Sequence, residues 1–346
     1  MSENNEDALP GSQYTCFWSS KSELSLDDFL AKYRPSMVQN DGTKPWIWVQ
    51  RGTVGPSNND DNHFDAIVDA TDLLTEYTAR IESIKDDPSI PIRSSKKKGV
   101  RSKKESREEL QAEAADKLKE VSLKYHYYSG KWLLFAPADK VDSIWSSLAK
   151  SLVSGPLASS SATLAKVSTS PATEVPFYQH VICLYIPNVY DKEDVTAVMK
   201  ILLRNHGFNL SGVKSTLYTL IGLSSKHPSG IQSTIWKNTA LMSDTDMKAL
   251  KDAFYSGSIG KKHNDKADTG GSDMPEGSHS QADNEPRKTV KPKSKLKKKA
   301  EANFFASDDE QETKEEQSEP TKAAQQKRTK QSDDEPAEAT VKKRKI

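Results

Sequence analysis

Apolar and polar positions alternate along the first three quarters of the chain in two periods, one near 3.6 residues and one of two. Ser25-Leu26-Asp27-Asp28-Phe29-Leu30 predicts a short helix capped by Ser25, with Asp27 and Asp28 in its first turn and an end before Pro35. Trp46-Ile47-Trp48-Val49, behind Pro45, reads as a strand of aromatic and β-branched residues. A loop over residues 52–62 follows, and Phe64, Ile67, Val68, Leu74, Tyr77 and Ile81 then predict a helix over residues 65–85. Leu110, Ala114, Leu118, Val121 and Tyr125 form one apolar stripe of a second long helix. Residues 131–135 read as a strand, 141–152 as a helix, 164–168 as a strand, and 181–186 as a more apolar, central strand. Val195, Val198, Met199 and Leu202 predict a helix ended by Gly207, residues 213–223 a final region of paired strands, and Met247, Leu250 and Phe254 a short closing helix. Helices interleaved with strands predict an α+β domain, a sheet covered by helices on one face.

Composition changes that picture at both ends. Only 34% of the 346 residues are hydrophobic, and adding the 16 Gly gives about 39%, short of a uniform globule. The deficit lies in residues 258–346, whose only aromatics are Phe304 and Phe305. Such a segment cannot bury enough apolar area to offset the entropy of ordering it, so a disordered charged tail is expected there. Residues 1–11, acidic and without a hydrophobic run, are expected to be disordered and to contain no signal peptide. Residues 12–257 hold every Trp and Tyr and make one domain. No stretch is apolar enough to cross a bilayer, and two cysteines, Cys16 and Cys183, make no disulfide framework. A soluble intracellular protein with no membrane contact is expected.

Charge is nearly balanced, 50 basic against 49 acidic residues, but it lies in blocks. Residues 93–107 carry Lys96, Lys97, Lys98, Arg101, Lys103 and Lys104 among eight basic residues against Glu105 alone, which predicts a basic linker inserted in the domain. In the tail, Lys327-Arg328 followed by Lys342-Lys343-Arg344-Lys345 has the form of a bipartite nuclear import signal, so an import receptor and a nuclear location, with a cytoplasmic pool, are expected. Ser307 and Ser332 each head the tetrapeptide Ser-Asp-Asp-Glu and fit acidic-directed phosphorylation, which would add about −2 charge beside the basic blocks.

Gly130-Lys131-Trp132, Val141-Asp142-Ser143-Ile144-Trp145, Leu164-Ala165-Lys166-Val167-Ser168 and His180-Val181-Ile182-Cys183-Leu184-Tyr185 form a series that is similar to the second half of the translation initiation factor 4E fold. The series most resembles an uncharacterised eukaryotic family of that fold, the basophilic leukaemia expressed protein family. The resemblance covers residues 46–236. It implies a curved antiparallel sheet with helices on its convex face and a concave face open to a ligand, where true cap-binding members stack a base between two Trp and hold phosphates with Arg and Lys. Trp46 and Trp48 match first-strand Trp positions of that fold. Residues 52–62 contain no aromatic, Tyr125, His126, Tyr127 and Tyr128 stand where the second stacking Trp is expected, and Ser168-Thr169-Ser170 replaces the phosphate-binding Arg. The reading therefore stops short of methylated-cap binding.

No Gly-x-Ser-x-Gly elbow, Walker loop or Gly-x-Gly-x-x-Gly follows a strand, and Cys183 lies in an apolar strand, so no catalysis is expected. No His or Cys spacing suggests a metal, and no cofactor is expected. Trp132, Trp145 and Trp236 read as core, His126 and His180 as core or edge residues. Aromatics beside basic residues suit single-stranded RNA, by base stacking and phosphate neutralisation. The expected function is RNA or nucleotide binding, with Trp46, Trp48, Tyr125 and Tyr127 as stacking candidates and Lys96, Lys97, Lys98, Arg101, Lys103, Lys104, Lys131 and Lys166 as phosphate contacts. The alternative is an adaptor that uses its helical face for a protein partner.

Overall fold

The computed structural model describes residues 9–11, 13–52, 60–95, 97 and 99–264. Six strands form one sheet: β1 (Phe17–Trp18), β2 (Trp46–Gln50), β3 (Gly130–Pro137), β4 (Leu164–Ser168), β5 (Gln179–Ile186) and β6 (Leu210–Ser215), in the order β1-β2-β4-β5-β3-β6. Every pairing is antiparallel except that of β1 with β2, which is parallel. The helices are α1 (Leu26–Lys32), α2 (Asp60–Asp86), α3 (Lys103–Lys124), α4 (Val141–Ser154), α5 (Lys192–His206), α6 (Thr216–Leu220), α7 (Asn238–Leu241) and α8 (Asp244–Asn264). The fold class is α+β with a mostly antiparallel sheet, one parallel pair away from the wholly antiparallel sheet that the resemblance implies.

One face of the sheet carries the main core. Ile47, Val49, Trp132, Leu134, Ala165, Val167, Ile182, Leu184 and Val213 alternate inward, and α1, α4 and α5 close over them with Phe29, Leu30, Trp145, Leu148, Val198 and Leu202. Each fully buried Val, Leu, Ile or Phe side chain among them contributes about 1.5–3 kcal/mol. Trp132 and Trp145 are fully buried in this core, whereas Trp236 is half-buried at its margin and donates its indole N–H to the Val189 carbonyl at 2.7 Å. Helix α5 ends at Gly207, whose φ of +61° suits glycine. A Cβ there would stand 2.6 Å from the ring of Phe254 on α8, so the missing side chain also lets α8 pack down.

Helices α2 and α3 pack on each other and on α6 in a second cluster, through Leu74, Tyr77, Ile81, Ala114, Leu118, Tyr127, Leu217 and Tyr218. Here three expectations are corrected. Helix α2 begins at Asp60, five residues before the start at 65 that the apolar stripe predicts. The basic segment 93–107 is not a linker throughout, because α3 starts at Lys103. Ser102 and Glu105 form a capping box, each side chain bonding the other's backbone N–H, and this outweighs the charge repulsion of Lys103 and Lys104. Residues 213–223 are not a strand pair: β6 ends at Ser215, whose hydroxyl accepts from the Leu217 N–H and starts α6. A short apolar run looks the same in either state, and the cap decides it.

Candidate functional site

Period two puts Trp46, Trp48 and Gln50 of β2 on the sheet face away from α1, α4 and α5, and cross-strand pairing carries that face over the other strands. Trp48 lies opposite Lys166, and Lys166 opposite Cys183. The adjacent row runs Gln50, Leu164, Tyr185, Lys131, Lys214 across five strands. Lys131 and Lys214 therefore stand directly opposite each other across β3 and β6.

Aromatic rings surround the cation at the centre. The Nζ of Lys166 lies 4.0 Å from the ring centre of Trp46, 4.9 Å from Trp48 and 5.8 Å from Tyr185. Trp48 and Tyr185 stack nearly parallel, at 6.0 Å and 17°, leaning across β4 from either side. The Nζ of Lys131 is 5.5 Å from the Tyr185 ring. Lys166 is 1% exposed and Lys131 4%. Withdrawing an ammonium from water is costly, and ring faces within about 6 Å return about 0.5–2 kcal/mol each. Tyr14 holds the strand that presents Trp46: its hydroxyl donates to the Trp46 carbonyl and accepts from the Trp46 N–H. Burial pushes the Tyr14 pKa up to about 12, which keeps the phenol a neutral donor near neutral pH.

The structure brings together four of the sequence candidates here, Trp46, Trp48, Lys131 and Lys166, and adds two that sequence reasoning missed, Tyr185 and Lys214. The alternation of Cys183 and Tyr185 against Ile182, Leu184 and Ile186 is the signal that identifies Tyr185 as outward-facing; a reading of β5 as uniformly apolar hides it.

The remaining candidates sit elsewhere. Tyr127 is buried in the α2–α3 cluster with its ring centre 4.4 Å from that of His63, away from the Lys166 face. Tyr125 is half-buried; its hydroxyl donates to Asp69 at 2.6 Å, and Lys124 lies 4.4 Å over its ring. His126 is exposed rather than core or edge, at a φ of +55°. Arg101 pairs with Glu109, Lys104 with Glu108 at 3.9 Å, and Lys103 donates to the Lys85 carbonyl at 2.5 Å. Lys97 is exposed. Lys96 and Lys98 lie outside the described residues, as do Ser307, Ser332, Lys327, Arg328, Lys342, Lys343, Arg344 and Lys345. Among the described residues no group of three His, Cys, Asp or Glu side chains could hold a metal ion, and no helix is long and apolar enough to cross a membrane.

The model of the basophilic leukemia-expressed protein Bles03 family matches residues 2–208, well over half of the chain. The chain belongs to that family. The match takes in β1 to β5 and α1 to α5, and with them Trp46, Trp48, Lys131, Lys166 and Tyr185. Lys214, on β6, lies beyond it. No curated protein matches the chain.

Proposed function

We propose that this member of the family is a non-catalytic RNA- or nucleotide-binding protein with a translation initiation factor 4E-like domain, its sheet curved and its ligand held on the face of Trp46 and Tyr185. The observation that carries the reading is the cluster of three aromatic rings around Lys166, flanked by Lys131 and Lys214. Ring faces stack bases without regard to sequence, and lysines answer phosphate. Methylated-cap binding is not part of the proposal, since residues 52–62 offer no aromatic. The basic tail motifs make the protein a nuclear import cargo, and Ser307 and Ser332 make that address phosphorylation-sensitive.

The test is a fluorescence titration of the full chain with a single-stranded oligoribonucleotide at several salt concentrations. Trp46→Ala should weaken binding about 5- to 150-fold, the equivalent of about 1–3 kcal/mol of lost stacking. The salt slope should be about −0.7 for each phosphate neutralised. If Trp46→Ala and Lys166→Met both bind as the parent does, the reading fails.

A second reading, a protein adaptor, rests on Phe64 and Val68, one turn apart on α2, and Leu123 on α3. These apolar side chains are 67%, 41% and 42% exposed. Binding through them would be almost indifferent to salt.

A further inference from the structure

Between α2 and α3 the chain returns on itself. The Pro91 carbonyl accepts the N–H of Lys103, the first residue of α3, at 2.9 Å. Further out, Ser95 and Val100 exchange both backbone hydrogen bonds, at 2.9 and 3.2 Å, and Gly99 turns the chain at a φ of +62°. Residues 91–103 thus form a closed loop whose base is tied to a helix start. On it Ile92 is 83% exposed and Val100 40%. Apolar side chains scattered singly over a surface call for no explanation. Here two share one tied loop, and residues 93–104 carry seven basic residues and no acidic one. Arg101 pairs with Glu109 and Lys104 with Glu108, and Lys103 bonds the Lys85 carbonyl. Arg93 and Lys97 are exposed and make no ion pair among the described residues.

A complement to this loop has to combine negative charge with an apolar phase. Single-stranded RNA supplies the charge but binds by stacking on ring faces, and residues 91–104 contain no aromatic. An anionic bilayer supplies both, with acidic headgroups outermost and acyl chains just beneath them. We propose that the loop is a reversible contact for an anionic lipid bilayer, in which Ile92 and Val100 enter the boundary between headgroups and acyl chains and Arg93 and Lys97 meet the acidic headgroups. The expectation that the chain meets no membrane rested on apolar spans, which a surface contact does not need. The mutual bonds of Ser95 and Val100 also satisfy backbone groups that would otherwise lose water at the boundary. Each basic residue beside an anionic surface strengthens partitioning about fivefold, an effect that fades within about 10 Å and weakens as salt rises. The contact uses none of Trp46, Trp48, Tyr185 and Lys166 and does not rest on the RNA reading.

The experiment labels Ile92→Cys of the full chain with a polarity-sensitive fluorophore, selectively because Cys16 and Cys183 are buried. Vesicles of phosphatidylcholine and phosphatidylserine, in a ratio of about 7:3, should shift its emission to the blue, and vesicles of phosphatidylcholine alone should not. Combining Arg93→Gln with Lys97→Gln should raise the lipid concentration at half-maximal shift about 30-fold. With the label moved to Val100→Cys, Ile92→Ser should raise it about tenfold. The same label at Met37→Cys, another exposed apolar position, should not shift, which separates insertion of the loop from binding through the charged tail. The proposal is overturned by no shift at position 92, by an equal shift with neutral vesicles or at position 37, or by variants that bind as the parent does. An equal shift on adding a single-stranded oligoribonucleotide without lipid overturns it too and assigns the loop to RNA.

Discussion

Gly130 opens β3 where that strand is flanked by β5 and β6, and it adjoins Lys131. A Cβ at this position would collide with Cγ1 of Val189 and with the carbonyl oxygen of Lys214, and would stand 3.1 Å from Cα of Ser215. Carbon atoms pack comfortably at about 3.5–4.0 Å, so β6 would have to retreat from β3 by roughly 1 Å. Val189 is fully buried, which closes the easy route of a side-chain rotation. Overpacking of this kind costs about 1–3 kcal/mol, and the stiffer unfolded chain of an alanine variant returns about 0.4–1 kcal/mol. Gly130→Ala should therefore lose about 1–2 kcal/mol. For a domain of this size that corresponds to a fall in Tm of roughly 2–8 °C. Thermal unfolding followed by tryptophan fluorescence reads the change, because Trp132 is buried two residues away. Gly11→Ala, where a Cβ meets nothing within 4 Å, serves as the control and should not lower Tm. A Gly130→Ala variant within about 0.5 kcal/mol of the parent would refute the steric argument.

Ser102→Ala removes one half of the capping box at the start of α3 and should cost about 1 kcal/mol in urea unfolding, with no change in m-value; a midpoint equal to the parent's contradicts the cap. Burial holds the pKa of His180 and of His206 below the ordinary histidine value, so acid protonates the unfolded chain first. The stability these residues provide is complete above about pH 6.5 and is lost as pH falls through their folded values, at up to about 1.4 kcal/mol per pH unit for each. Urea midpoints should thus drop between pH 7.5 and 5.5, less steeply in His206→Gln, and a midpoint that rises on acidification counts against the argument.

Much of the fold is legible in local chemistry. The strand Leu164–Ser168 appears at its predicted bounds because polar residues flank it on both sides, and α1 starts where Ser25 caps it, accepting from the Asp28 N–H. What escaped was decided by single capping atoms or by distant pairings. The two-residue strand Phe17–Trp18 has no period of its own and exists by pairing with β2. The start of α3 is written in Ser102 and Glu105, amid a charge run that reads as a loop. The candidate face was half visible. Trp46, Trp48, Lys131 and Lys166 stand out by residue type, but that they share a face depends on strand order, which sequence spacing does not encode. Tyr127 misled for the converse reason: a run of four ring residues says that some are exposed, not which ones.

The strand order also bears on how the chain is made. Strand β3 is complete only when β5 and β6 have arrived on either side, and β2 pairs with β4, more than a hundred residues later in the chain. A sheet built from such distant partners folds slowly, because loop closure must precede most of its contacts. On the ribosome, a nascent chain that ends at residue 208 has emerged with the whole family-matched stretch, but without residues 210–215. One edge of β3 is then an unsatisfied ladder of backbone donors and acceptors, and such edges recruit other chains. When residues 210–215 arrive, that edge of β3 is paired and the outer edge of the sheet passes to β6, where Val213 bridges Trp236.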